Sequence, residues 1–209
     1  MKHLPVILSI LLTLSGLSCA AQSPFESRVL AELNLARASP AAYAAILADY
    51  RLLVPSARPG VIRIPGFPTT YSEGRPAIDE AIAFLLAQKP LPPLSFSPSL
   101  TRASTSLLVS QQRTNTRGHN SPDGTPFRKR LESFGSWSGY LGECLHYGAS
   151  TPREAVIDLI VEDGISDRYH RLTIFTPELR IVGISFGSHP SYGSALVMDF
   201  AGTFVLTKK

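Results

Sequence analysis

Between His119 and His170 the 209-residue sequence gathers the side chains best suited to metal or acid–base chemistry. His119 stands in Gly118-His119-Asn120-Ser121-Pro122-Asp123-Gly124, just after a predicted helix. Ser-Pro-Asp-Gly makes a surface turn on its own, so the string reads either as a plain turn or as one that presents an imidazole. Glu143 lies in an alternating segment, with Leu145 and Tyr147 on its face and Cys144 and His146 on the other. A carboxylate that shares a face with large side chains is half-buried and needs a partner, either a structural hydrogen bond or a reacting group. Glu162 and Asp163 close an apolar helix, where the backbone dipole disfavours acids. Arg168 or Arg171 could offset them, as could a metal ion or a protonated His170, seven residues beyond Asp163. Two imidazoles with two carboxylates suit zinc or a similar divalent ion, although their spacing is not that of a compact zinc motif.

The elements that must position these groups are marked by a repeated device. Ser or Thr followed by Pro offers a hydroxyl cap and a proline at the first helical position. It occurs at Ser23-Pro24, Ser39-Pro40, Ser97-Pro98, Thr125-Pro126 and Thr151-Pro152, and Glu26 and Glu154 complete capping boxes at the first and last of these. Helices are predicted from Pro24 through Ala36, from Pro40 towards Tyr50, over Ala77–Gln88, from Pro98 to about Arg113, over Pro126–Phe134, and from Pro152 to Asp163, where Gly164 supplies a stop. Arg51–Gly74 is a Pro-rich, irregular insertion. Later the pattern turns to Ile, Val and Phe: Arg180–Gly187 and Ala195–Val205 read as a hairpin joined through 188–193, with Gly142–Gly148 as a third strand. Helices first and an antiparallel sheet later make the fold α+β. Seventeen prolines against fifteen glycines argue for short elements.

A hydrophobic content of 44% suits one globular domain with a real core. The formal charge of +4 is small and scattered, and the longest basic run, Arg128-Lys129-Arg130, reads as a solvated helix face, so no nucleic-acid partner is expected. Met1-Lys2-His3 followed by the apolar stretch Leu4–Leu17 reads as a secretory signal, cleaved after Ser18-Cys19-Ala20 to leave residues 21–209. Lipoprotein processing at Cys19 ranks second, because Gly16 stands where a branched aliphatic residue is usual. Either route leaves Cys144 alone, so no disulfide is expected, and no transmembrane helix is expected in the mature chain.

Several of these strings, in order, resemble the CAP superfamily of cysteine-rich secretory proteins, antigen 5 and pathogenesis-related proteins of group one. They are Leu33-Asn34-Leu35-Ala36-Arg37 with Pro40, Gly118-His119 with Asp123-Gly124, Gly142-Glu143, Ala155 to Glu162, and His170-Arg171 followed by Val182-Gly183-Ile184. The resemblance spans Phe25 to Phe204, in the bacterial, exported form. It implies an α-β-α sandwich, a small antiparallel sheet flanked by helices, over a single SCP-like domain in 21–209. It also implies a cleft tetrad of His119, Glu143, Glu162 and His170 as metal ligands, with Asp163 the fallback for Glu162. Leu159 replaces the family's usual Trp and Cys144 its usual Asn, the second of which alters the hydrogen bonding behind the site.

The resemblance implies three functions. The first is a module binding an extracellular or envelope ligand, with lipids among the candidates, with or without zinc or another divalent cation. The second is a metal-assisted hydrolase of peptide or ester bonds, with Glu143 and His119 as the candidate catalytic residues. Against it, Gly-x-Ser-x-Gly and His-Glu-x-x-His are both absent from the sequence. The third is a surface domain whose tetrad is a satisfied polar network without an ion. Binding is the expectation preferred here.

Overall fold

The sheet at the centre takes its two faces from strict alternation. The computed structural model describes residues 22–54, 62–63 and 70–207. The segment read as a secretory signal, the cleavage site expected for it and most of the Pro-rich insertion lie outside them. Four strands run in the order β3, β5, β6, β4: Ser95–Phe96, Ile181–His189, Gly193–Leu206 and Gly135–Tyr147. The pairings of β4 and β5 with β6 are antiparallel, and the short β3 joins β5 in parallel. A separate pair, β1 (Ile62–Arg63) and β2 (Thr70–Tyr71), forms inside the insertion.

Leu196, Met198 and Phe200 of β6, with Cys144, Val182 and Ile184, face one apolar cluster. It is completed by helices α1 (Pro24–Ala38), α2 (Pro40–Leu53), α3 (Arg75–Ala87) and α6 (Pro152–Val161). Ala195, Val197 and Ala201 face the other way, onto α4 (Pro98–Thr114) and α5 (Phe127–Glu132). Helix, sheet and helix therefore stack as the alternation requires. The α4 backbone lies directly on β5, because a Cβ at Gly183 would fall 2.3 Å from both the Leu100 carbonyl carbon and the Thr101 nitrogen. Only glycine permits that approach.

The capping boxes at Ser23 and Thr151 form as expected, and Ser97 caps Leu100. Two of the five devices behave differently. Ser39 already ends α1 and makes no side-chain cap, and Pro126 itself occupies the cap position of α5, ahead of a helix of only six residues. The hairpin and third strand are present, β4 beginning seven residues before Gly142. The basic triplet needs correction. Arg128 and Lys129 are exposed, but Arg130 is buried, because its guanidinium is drawn between two buried carboxylates. The family-like Asn34 and Arg37 are structural. Asn34 exchanges two hydrogen bonds with the Leu94 backbone, and the buried Arg37 donates to the carbonyls of Pro92, Ile174, Thr176 and Leu179.

Candidate functional site: two imidazole–carboxylate pairs

Helix α6 ends two residues before the expected Asp163. Glu162 takes the left-handed conformation there (φ 52°), and its amide donates to the Asp158 carbonyl at 2.7 Å. The anomaly of two acids at a helix C-terminus is resolved by other helix starts. The Glu162 carboxylate accepts from the amides of His170 and Arg171 in the first turn of α7 (Tyr169–Ile174), at 3.0 and 3.2 Å. Asp163 turns away to the amides of Ser72, Glu73 and Gly74, which lead into α3. Each acid thus meets the positive end of a different helix. Arg171 donates to the carbonyls of Ile160 and Val161, and Arg168 to that of Glu162, so the exposed end of α6 is covered as well. Arg168 in turn holds the carboxyls of Glu73 and Glu80 below their usual range.

Glu162 pairs with His170, Nδ1 to Oε1, at 2.8 Å, and Glu143 pairs with His119, Nδ1 to Oε1, at 2.7 Å. The two imidazole rings face each other with centres 6.2 Å apart. All four side chains of the expected tetrad therefore meet in one place, whereas Asp163 is committed elsewhere. The His119 side chain is 46% exposed, the His170 side chain 13%, and both glutamates are buried. The His170 Nε2 is buried without a hydrogen-bond partner among the described residues. Among those residues no three His, Cys, Asp or Glu side chains converge as a ready ion cage.

The two pairs are held differently. Behind Glu143 stands Arg130, which reaches Glu143 Oε2 and Asp199 Oδ1 through one nitrogen, the latter at 2.8 Å, and Ser104 donates to Asp199 Oδ2 at 2.8 Å. Burial, with Glu143 alongside, pushes the Asp199 carboxyl well above its ordinary range. The His119 loop is pinned at Gly118: its amide donates to the Tyr147 hydroxyl at 3.0 Å and its carbonyl accepts from Gln111 at 2.7 Å. Tyr147 closes the ring by donating to Gln111 at 3.1 Å. Ser121–Gly124 is the turn its sequence predicts, with the Gly124 amide on the Ser121 carbonyl at 2.8 Å. The Cys144 thiol approaches the His170 carbonyl at 3.9 Å, and burial raises its pKa, so it packs behind the site as a neutral thiol.

A third pair, His146 Nε2 to Asp158 Oδ2 at 2.9 Å, joins β4 to α6. The sequence places His146 opposite Glu143 but carries no sign of its partner, which comes from a helix twelve residues on. A cavity of about 290 Å³ is lined by His146, Asp158, Glu162 and His170. A larger hollow of about 750 Å³ lies along the outer face of α4, between Thr105 and Ser121, and none of the imidazoles lines it.

The family model for the cysteine-rich secretory protein family, CAP, matches residues 31–200. The chain belongs to this family. Among solved structures, the CAP-domain chain is similar to an extracellular protein containing an SCP domain from Bacillus anthracis, with 16% identity and a TM-score of 0.42 over 53% of this chain and 34% of that one. It is also similar to an outer surface protein from Borrelia burgdorferi, with 16% identity and a TM-score of 0.43 over 53% of this chain and 78% of that one. It thus spans about a third of the length of the first. No curated protein matches the chain in sequence. Among the described residues, no helix is long and apolar enough to cross a membrane.

Proposed function

We propose that this CAP domain is exported through its Met1–Ala20 leader, with residues 21–209 as one domain, and uses the His119–His170 cleft to hold a divalent cation and bind a ligand or partner outside the cell or in its envelope. One observation carries the metal reading: each imidazole gives its Nδ1 to a buried glutamate, and the rings face one another 6.2 Å apart. A carboxylate behind an imidazole fixes the tautomer and makes the other nitrogen a better ligand. Two imidazoles that share a tetrahedral ion have ring centres roughly 5 Å apart, so the pair fits zinc with a small approach. His119 and His170 would hold the ion, and Glu143 and Glu162 would orient them. Bound, the ion would supply Lewis acidity and an open position for a ligand atom.

Calorimetric titration of the chelator-treated chain with zinc tests this. Saturable binding with a rise in melting temperature is expected, and absence of both overturns the metal reading. Hydrolysis is the second reading, supported by the exposed imidazole of His119 backed by Glu143, which is the arrangement of a general base. It requires a peptide or ester substrate whose turnover is lost in Glu143→Ala. Unchanged turnover ends it.

A further inference from the structure

The end of α2 and the start of α6 border a hollow of about 470 Å³ that contains none of the tetrad residues. Ile46, Tyr50, Leu53 and Ile157 give it an apolar wall, and two acids stand in that wall without a cation. Glu154 is 2% exposed. Its Oε2 closes the capping box of α6 by accepting from the amides of Ser150 and Thr151, at 2.8 and 3.3 Å. Its Oε1 is buried without a hydrogen-bond partner among the described residues. Asp49 is exposed and makes neither a hydrogen bond nor an ion pair among the described residues. Arg153, the basic residue of the wall, is committed to Glu32, its Nε and Nη2 donating to the two carboxylate oxygens at 2.7 and 3.4 Å. The last turn of α2, which supplies Tyr50 and Leu53, also brings the negative carbonyl end of that helix to the hollow. A buried acceptor left unpaired is costly, so its presence in a cavity wall points to a guest that donates to it.

We propose that this hollow is a subsite for a small organic ammonium ion, which donates an N–H to Glu154 Oε1, balances its charge against Glu154 and Asp49, and lays its hydrocarbon part on the apolar wall. A charge-assisted hydrogen bond is stronger than a neutral one, so the acids select a protonated amine over an alcohol of the same shape. An idle acceptor oxygen selects an amine that carries N–H over a quaternary one. The volume lies within the range of small-molecule pockets, and a mostly apolar lining with a few polar groups is their usual make-up. The subsite stands apart from the metal reading, since it shares no residue with the tetrad.

The test is calorimetry of the full chain near neutral pH with chelator present. Phenethylammonium is the probe, with 2-phenylethanol, 3-phenylpropionate and phenethyltrimethylammonium as its neutral, anionic and quaternary counterparts. Saturable binding of phenethylammonium at about millimolar concentration, at least about tenfold tighter than the alcohol or the anion and tighter than the quaternary ion, is expected. Glu154→Gln keeps an oxygen for the Ser150 and Thr151 amides, as capping boxes allow, and removes the charge, so it should weaken the ammonium about tenfold. Asp49→Asn, an exposed change, should weaken it about threefold and serves as the second variant if Glu154→Gln fails to fold. His119→Ala, which breaks the metal reading, should leave binding in place. Absence of saturable ammonium binding, a counterpart that binds as tightly, unchanged affinity in either acid variant, or binding that requires added zinc would each overturn the proposal.

Discussion

Glu143 and Asp199 are direct partners across strands β4 and β6, and both carboxylates close on the single buried guanidinium of Arg130. Like charges opposite one another on one sheet face repel, and in a buried setting they persist only with a shared cation. Arg130 thus fixes which glutamate oxygen is left for His119, and the imidazole is aimed by a contact one layer below it. Replacing Arg130 with Met leaves two buried acids without that cation. A loss of about 3–5 kcal/mol in unfolding free energy, measured by denaturant titration near neutral pH, is the expected outcome. A loss under about 1 kcal/mol would contradict this account of the cluster.

Asp199 makes stability depend on pH in an unusual direction. Its carboxyl titrates higher in the folded chain than in the unfolded one, so the folded state binds the extra proton and the contribution of this group declines as pH rises above the ordinary aspartate range. Asp199→Asn removes that decline. As pH rises above the ordinary aspartate range, the stability of Asp199→Asn relative to the parent should therefore climb. Glu73 and Glu80 titrate below their ordinary range and act at the acid end instead, adding stability above that range that is lost as pH falls through their lowered values.

If zinc occupies the imidazole pair, Glu162 acts through His170. Glu162→Gln can still accept from the amides of α7 but loses its charge behind the ring, and zinc affinity should fall about 10- to 100-fold with the fold retained. His170→Ala should remove measurable zinc binding. An unchanged affinity in Glu162→Gln would separate that carboxylate from the metal.

The ring formed by Tyr147, Gln111 and Gly118 predicts a local effect. Tyr147→Phe leaves the Gly118 amide and the Gln111 oxygen without the hydroxyl, at a cost of about 1–2 kcal/mol. Hydrogen exchange at Gly118 should speed up, while exchange in the core of α6 should change only by the global shift in stability.

Gly183→Ala tests the close approach of α4 to β5. Its Cβ would overlap helix backbone, which cannot rotate aside as a side chain would, so a loss of at least about 2 kcal/mol or failure to fold is expected. Thermal denaturation checks it.

Much of the fold was legible along the chain because its causes are local. A hydroxyl before a proline caps the helix it opens, as at Ser23, Ser97 and Thr151, and two-residue alternation assigns Glu143 and Cys144 to opposite faces without any partner being known. His119, Glu143, Glu162 and His170 stood out by type, and their family-like strings named them as a set. What no local pattern carries is which distant backbone a side chain reaches. Glu162 and Asp163 are neighbours of like charge, yet one caps α7 and the other turns to amides 89 to 91 residues earlier. Arg130 has exposed basic neighbours and is itself buried, because two acids, 13 and 69 residues away, converge beside it. His146 finds Asp158 only once β4 lies along α6. Helix starts and strand faces follow from short-range sterics and hydrogen bonding. Charge pairing in a low-dielectric interior depends on where separate elements come to rest, and packing alone settles that.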